Sequence, residues 1–304
     1  MSVSFGLVVP AGPQKGHINQ WQADLDTVVP LLDGHFESLW MTDHFFWADK
    51  PTYEAWTVVT YLATQYPQFK IAPIVLGQSY RNPALLAKMA ATLQSLTQGR
   101  FIMGIGAGWK EDEYHAYGYP YPRPSIRVAQ LEDTLEIMTR LWKESGKVSY
   151  AGQHYSIKEA YCEPKPNPMI PILVGGGGTK TMMLAARFAD MWNMPDTPLT
   201  RYRERANILK QHCETIGRDP DGIQLSWFGR MAVHNTTAEA EALSNGKRTK
   251  ANAIVGSVQE VIDQLNEFVD FGVSYFMVEI LGLPQPDIAR LVFEDILPNF
   301  QSRR

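Results

Sequence analysis

The chain has 304 residues, 45% of them hydrophobic and 20% charged, with a formal net charge of -4; this is globular composition with ample core material, and its acidic balance argues against nucleic acid as a partner. No apolar run is long enough to span a bilayer, and the start "MSVSFGLVVPAGPQKG" lacks the basic segment and apolar length of a secretion signal. Cys162 and Cys213 lie far apart and form no CxxC unit, so the expectation is a soluble cytoplasmic protein with no membrane partner.

Strand-like and helix-like runs alternate from the first residues. The run "VSFGLVV" (3–9) is β-rich and stops at Pro10, and residues 20–33 carry Trp21, Leu25, Val28, Val29 and Leu32 at helical spacing. "FESLWMT" (36–42) is a second strand, a helix occupies 53–65, and "KIAPIVL" (70–76) is a third strand. In 81–100, Asn82 can cap, Pro83 suits a first helical turn, and Leu85, Leu86, Met89, Ala90, Leu93 and Leu96 share a face before Gly99. "RFIMGIG" (100–106) then runs into glycines.

From about 107 to 170 the rhythm breaks. The segment holds "WKEDEYHAYGYPYPRP", a helix with Leu131, Leu135, Met138 and Trp142 on one face, a hairpin-like "KVSYAGQHYSI" and the proline-rich "EPKPNPMIP". It reads as an insertion, because its apolar face needs the main body to cover it. Alternation resumes with "IPILV" (170–174), a helix at 179–189, "ADMWNM" (189–194), a helix over 199–216 and "GIQLSWFGRMAV" (222–233). After a polar stretch (234–252) come a helix over 257–270, the strand "VSYFMVEI" (273–280) and a last helix near 285–297. Repeated βα units imply a parallel sheet. Eight of them predict an α/β fold, a closed (β/α)8 TIM barrel in one domain over 1–304, in preference to an open doubly wound sheet. Its active site belongs at the C-terminal ends of the strands.

The unusual residues follow strands. Asp43 and His44 follow strand two in "LWMTDHFFW"; Pro73, Ile74, Val75, Leu76 and Gly77 end strand three; "GIGAGW" (104–109) ends strand four; "GGGGT" (175–179) ends strand five; Trp192, Asn193 and Glu279 end later ones. His44 is the candidate for proton chemistry, since imidazole titrates near neutrality; a surface or satisfied core histidine is the plainer alternative. Asp43 either orients it or accepts a hydrogen bond from a ring, and neighbours on an extended strand point opposite ways, so direct pairing is not assumed. The glycines at 175–178 before a helix suit an anion, most often phosphate, or simply a tight βα turn. "GGGGTKT" lacks the Walker order, and Gly104-x-Gly106-x-Gly108 lacks the further glycine of a dinucleotide fingerprint. Those glycines can let a flat ring lie against the backbone, with Trp109 walling the pocket or merely packing. The seven histidines show no HxxxH or HExxH spacing, so no metal site is expected.

"SLWMTDHFF", "YRNPALLAKMAATLQSLTQGRFIMGIGAGWKEDEYHAYG", "PKPNPMIPILVGGGGTKTMMLAARFADMWN" and "LEDTLEIMTRLW" together resemble the bacterial luciferase-like oxidoreductases. The likeness runs over nearly the whole chain, is weakest from 234 to 256, and is strongest to the branch dependent on coenzyme F420, a 5-deazaflavin. It implies a barrel with its cofactor at the C-terminal mouth. Asp43 and the backbone of Pro73, Ile74 and Leu76 would meet the ring, and the Pro73–Ile74 peptide falls where many members carry a cis bond or bulge. Ala107 and Gly108 would line the cofactor, Gly176, Gly177, Gly178 and Thr179 would hold its phosphate, and His44 would be catalytic. The implied activity is hydride exchange between the deazaflavin and a small-molecule substrate; the alternatives are an FMN-dependent monooxygenase and a barrel that only binds a ligand. A homodimer is the implied assembly. One departure stands out: sugar-phosphate dehydrogenases of this kind carry an acid where this chain has Trp109, and Glu111, Asp112 or Glu113 could replace it only if the loop turned back.

Overall fold

The computed structural model describes residues 3–13, 17 and 19–301. Strands β1 (Ser4–Val8), β2 (Ser38–Met41), β3 (Lys70–Pro73), β4 (Leu76–Gly77) and β5 (Met103–Gly106) are apolar and mostly buried on both faces. That is the condition of strands in a covered parallel sheet. An antiparallel hairpin follows, β6 (Val148–Ala151) with β7 (Ser156–Ala160). The parallel series continues with β8 (Ile172–Gly175), β9 (Met191–Pro195), β10 (Gln224–Val233), β11 (Ile254–Gly256) and β12 (Tyr275–Ile280). Neighbours run β3-β2-β1-β12-β10-β9-β8-β5-β4, with β11 beside β10 and every pairing parallel. The two ends of this path meet. β3 and β4 are halves of one interrupted strand; the chain entering β5 meets β3 through an Ile71–Phe101 bridge, and β5 pairs with β4 at Leu76–Ile105. The sheet is therefore the expected (β/α)8 barrel, with each of the eight predicted strands in place.

The third strand was expected unbroken over 70–76; it is interrupted instead. Ile74 N still donates to Met41 O at 2.8 Å, so the ladder to β2 holds through Ile74. The cis peptide lies at Ile74–Val75, one residue beyond the expected Pro73–Ile74. The chain leaves β2 only after Ile74 and pairs with β5 from Leu76.

Helices α1 (Gln20–Val28), α2 (Ala55–Gln65) and α3 (Pro83–Leu96) cover the outer face after β1, β2 and β4. Glu54 accepts from the amides of Trp56 and Thr57, and Asn82 from those of Ala84 and Leu85, so side chains satisfy the free donors of two helix starts. Within 107–170 the chain forms a short α4 (Glu111–Ala116), a long α5 (Pro124–Lys143) packed between α3 and α6 (Thr179–Phe188), and the β6–β7 hairpin. Asp133 on α5 fastens that hairpin, accepting from the amides of Gln153, His154 and Tyr155 and from the Tyr150 hydroxyl. Then come α7 (Leu199–Thr215), α8 (Thr237–Ala242), α9 (Val258–Phe271), α10 (Pro286–Arg290), a wide turn at Leu291–Ile296 and α11 (Pro298–Gln301). α8 and β11 fall in or beside the stretch read only as polar; a Thr236–Glu239 capping box starts α8.

Two cores result. Val8, Trp40, Ala72, Leu173, Phe228 and Met277 belong to the packed interior of the barrel, and a larger cluster lies between strands and helices. No helix among the described residues is long and apolar enough to cross a membrane.

Candidate active site

Past β2 the chain leaves the ladder, and consecutive side chains diverge. Asp43 turns inward, where both carboxylate oxygens meet Arg81, Oδ2 to Nη1 at 2.9 Å and Oδ1 to Nη2 at 3.0 Å. Oδ2 also accepts the Gly77 amide at 2.9 Å. Arg81 bonds Glu54 as well, so one guanidinium ties the ends of β2 and β4 to the start of α2. Burial opposes its charge, but Asp43 and then Glu54 outweigh that and raise its pKa. The carboxylate expected to meet a ring is held by Arg81 and the Gly77 amide.

His44 points elsewhere. Its Nδ1 lies 3.2 Å from both oxygens of Glu113 on α4. Glu113 Oε1 also accepts the amides of Phe45 at 2.8 Å and Phe46 at 3.2 Å, and Lys110 Nζ stands 3.8 Å away. The loop does turn back: α4 returns the third acid of "EDE" to the mouth, while Glu111 and Asp112 stay outside. Burial pushes the Glu113 carboxyl up, yet the His44 hydrogen bond and charge and the two amides outweigh it and hold it below the ordinary range. An ionised Glu113 accepts, so Nδ1 carries the proton and Nε2 is left for other chemistry. Among the described residues Nε2 has no hydrogen-bond partner. Trp47 and Trp109 flank the imidazole, ring centroids 4.6 and 5.7 Å away.

The interrupted strand explains most of the glycines. At Gly104 an added Cβ would lie 2.0 Å from the Pro73 carbonyl oxygen; at Gly106 and Gly175 it would lie 2.9 and 3.0 Å from Val75. Gly-x-Gly is therefore room for the kink, filled by protein rather than by a ring. Gly108 has φ +77°, and an added Cβ there would strike the Tyr114 hydroxyl at 1.9 Å. Ala107 packs against the outer core.

The second half of the glycine run differs. Gly176 bridges to β9 through its amide and the Asn193 oxygen, and its own oxygen accepts from Trp192 Nε1. Gly178 caps α6, and a Cβ there would meet nothing nearer than 3.6 Å. Among the described residues the amides of Gly177, Gly178 and Thr179 donate to no protein acceptor. They lie at the N-terminus of α6. Beside them Asn193, 2% exposed, shares the inward parity of Met191, and its buried Nδ2 has no partner. Sequence reading placed Asn193 at a strand end but gave it no role; a carboxamide in an apolar strand is the signal that could have done so.

The C-terminal ends of β10 and β12 carry a set of charges that sequence reading only grazed. Arg230 on β10 and Glu279 on β12 are register partners, joined Nε to Oε2 at 2.8 Å. Arg230 Nη1 reaches Asp196 Oδ2 at 2.5 Å, and Arg248 Nη1 reaches the same oxygen at 3.1 Å. A lone charge inside "LSWFGRMAV" was the available sign for Arg230. Among the described residues no His, Cys, Asp and Glu grouping could hold a metal ion.

Comparison with known proteins gives a consistent picture. The family model described as luciferase-like monooxygenase matches residues 5–250. An F420-dependent glucose-6-phosphate dehydrogenase of Amycolatopsis mediterranei (strain U-32) is 24% identical over 303 residues, covering 88% of this chain and 90% of that protein. Two solved structures share the fold: an F420-dependent secondary alcohol dehydrogenase in complex with an F420-acetone adduct (TM-score 0.85, 17% identity, 99% of both chains), and the monooxygenase RslO1 from Streptomyces bottropensis (TM-score 0.80, 18% identity, 98% of this chain and 99% of that one).

Proposed function

The chain belongs to the luciferase-like monooxygenase family, and from that premise we propose that it is an oxidoreductase using coenzyme F420, in which His44 moves the proton that accompanies hydride transfer. The observation that carries the reading is the His44–Glu113 pair at the barrel mouth, with Nδ1 anchored and Nε2 free. Its similarity along most of its length to dehydrogenases named for F420 supports that cofactor over others.

The residues fit such a group. The open amides of Gly177, Gly178 and Thr179, with the positive end of α6 behind them, suit a phosphate; Gly176 sets the turn that presents them. The unpartnered Asn193 amide suits the polar edge of a ring. Leu76 and Ile74 offer the kinked backbone as a floor, and Pro73 and Asp43 fix its position, Asp43 through the Gly77 amide. Ala107 and Gly108 carry the chain from this floor to Trp109. When bound, the reduced deazaflavin supplies the hydride, and the protein supplies orientation and dryness. Glu113 holds a proton on Nδ1, so Nε2 of the neutral ring takes a proton from a hydroxyl in oxidation, and in reduction the imidazolium, its charge offset by Glu113, gives the Nε2 proton to a carbonyl oxygen. Trp47 and Trp109 screen that atom from water.

A second reading, an FMN-dependent oxygenase, is favoured by the family's description and by the likeness to RslO1, and a phosphate cradle serves either ring. Binding of the apoprotein to F420 and to FMN, followed by ring fluorescence, separates them: F420 should bind more tightly. Tighter FMN binding, with oxygen consumed once the flavin is reduced, would overturn the proposal. In His44→Asn the cofactor Kd should stay and turnover should fall by about 10²-fold or more. Unchanged turnover removes His44 from the mechanism.

A further inference from the structure

We propose that the barrel mouth selects an uncharged substrate, because Asp196 and Glu279 neutralise the two arginines that face it; this rests on the function proposed above and names the substrate class of the same site. Arg230 shares the inward parity of Phe228, and Glu279 that of Tyr275 and Met277, so both project from the barrel interior at its C-terminal end. Arg248 arrives from the loop before β11. Two guanidiniums at a barrel mouth would ordinarily make an anion site, since each offers a forked set of donors to phosphate or carboxylate. Here their charge is offset by paired carboxylates. Arg230 binds one acid on each side, Asp196 at 2.5 Å and Glu279 at 2.8 Å, and Arg248 takes the remaining lone pair of Asp196 Oδ2 at 3.1 Å.

Two positive and two negative charges sum to zero, so a phosphorylated or carboxylated substrate gains no net field. It would also have to sit beside the two carboxylates, like charge against like. All four side chains are partly buried, which screens them less than a free surface would. The placement of Asp196 points the same way. It sits at φ +44°, a conformation few non-glycine residues adopt, with its amide bonded to Phe228 O at 2.8 Å. Its backbone is bent to bring the acid between the two arginines.

The rim beside His44 is aromatic. Trp47 is 38% and Trp109 63% exposed, large indoles left at the rim beside His44 with centroids 6.1 Å apart. Such surface is ready to be covered by the carbon skeleton of a substrate. A neutral ketone or secondary alcohol with an apolar substituent satisfies both walls; a sugar phosphate satisfies neither.

The test titrates protein loaded with F420, so that the glycine cradle is already filled by the cofactor's own phosphate. Calorimetry should show no binding of glucose 6-phosphate or inorganic phosphate to the wild type, whereas 4-phenylbutan-2-one should bind and oxidise the reduced cofactor. In the double variant Asp196→Asn, Glu279→Gln, glucose 6-phosphate should bind, gaining about tenfold or more in affinity. Should that variant fail to fold, Glu279→Gln alone should show a smaller gain in the same direction. Saturable glucose 6-phosphate binding to the wild type overturns the inference, and so does a folded variant whose phosphate affinity is unchanged. Failure of F420 to load would instead overturn the cofactor proposal, and the titration would then be run on protein loaded with FMN.

Discussion

Glu113→Gln is the most searching substitution, because it keeps the side chain's shape while removing one charge from a buried site. Glu113 is essentially inaccessible and receives hydrogen bonds from His44 Nδ1, the Phe45 and Phe46 amides and, at 3.4 Å, the Tyr80 hydroxyl. A carboxamide can still accept from an amide, but its NH2 must then face Nδ1–H or another donor. Hydrogen bonds to a charged group contribute roughly 1.5–3 kcal/mol each, and they are not additive when they share one acceptor. The expected loss is therefore about 2–3 kcal/mol in total, a Tm lower by roughly 5 °C for a chain of this size. The loss depends on pH with a definite sign. The carboxyl's pKa is depressed in the folded protein, so its contribution is present above the ordinary carboxylate range and is lost as pH falls through the folded value. Wild type and variant should converge in acid, once pH has fallen below the depressed folded value. Turnover should fall by up to about 10²-fold through misplacement of His44, with KM and cofactor Kd little changed. Thermal unfolding at several pH values and steady-state kinetics read all of this. An unchanged Tm at neutral pH, or a rise in KM with kcat intact, would refute the positioning role.

Three further perturbations test the scaffold. Arg81→Ala leaves the buried Asp43 carboxylate uncompensated and should cost about 3–5 kcal/mol by denaturant unfolding, far more than a surface pair. Gly104→Ala places a methyl 2.0 Å from the Pro73 carbonyl oxygen, a backbone atom that cannot turn away, and should lose more than about 4 kcal/mol or give insoluble protein. Asp133→Ala releases three amides and the Tyr150 hydroxyl, so hydrogen exchange should accelerate across 150–157 with the barrel strands unaffected. Burial first and Asp133 second push Tyr150 up to about 12, so its phenol should titrate at lower pH in that variant by ultraviolet absorbance.

The fold was legible because barrel strands announce themselves locally: runs such as "SLWM" and "YFMV" are almost wholly apolar, and helices such as α2 and α3 start at capping residues. What the sequence hid were facts of three-dimensional return. Nothing local says that α4 folds back to bring Glu113, rather than Glu111, to His44, which lies 69 positions earlier. Nor does "TDHF" reveal that its acid and imidazole part company, one to Arg81 and one to Glu113. The interruption at Val75 was equally hidden, since Ile74, Val75 and Leu76 all suit an unbroken strand by propensity. Only the register on either side, to β2 before it and to β5 after it, separates the halves.

The glycines show why composition alone misassigns such a site. Gly104, Gly106 and Gly175 look like a ligand motif, yet each is small because Pro73 or Val75 occupies the space its side chain would need. Gly177 and Gly178, in the same run as Gly175, leave amides that nothing in the protein uses. A single tetraglycine therefore serves packing at its first member and leaves donors open at its third and fourth. The two roles are physically linked: the kink at Val75 can exist only if β5 and β8 yield on either side, and β8 yields at the residue where its chain turns to expose those amides. Any substitution that fills Gly175 should then disturb the strand kink and the amide cradle together, although the residue itself need touch no ligand.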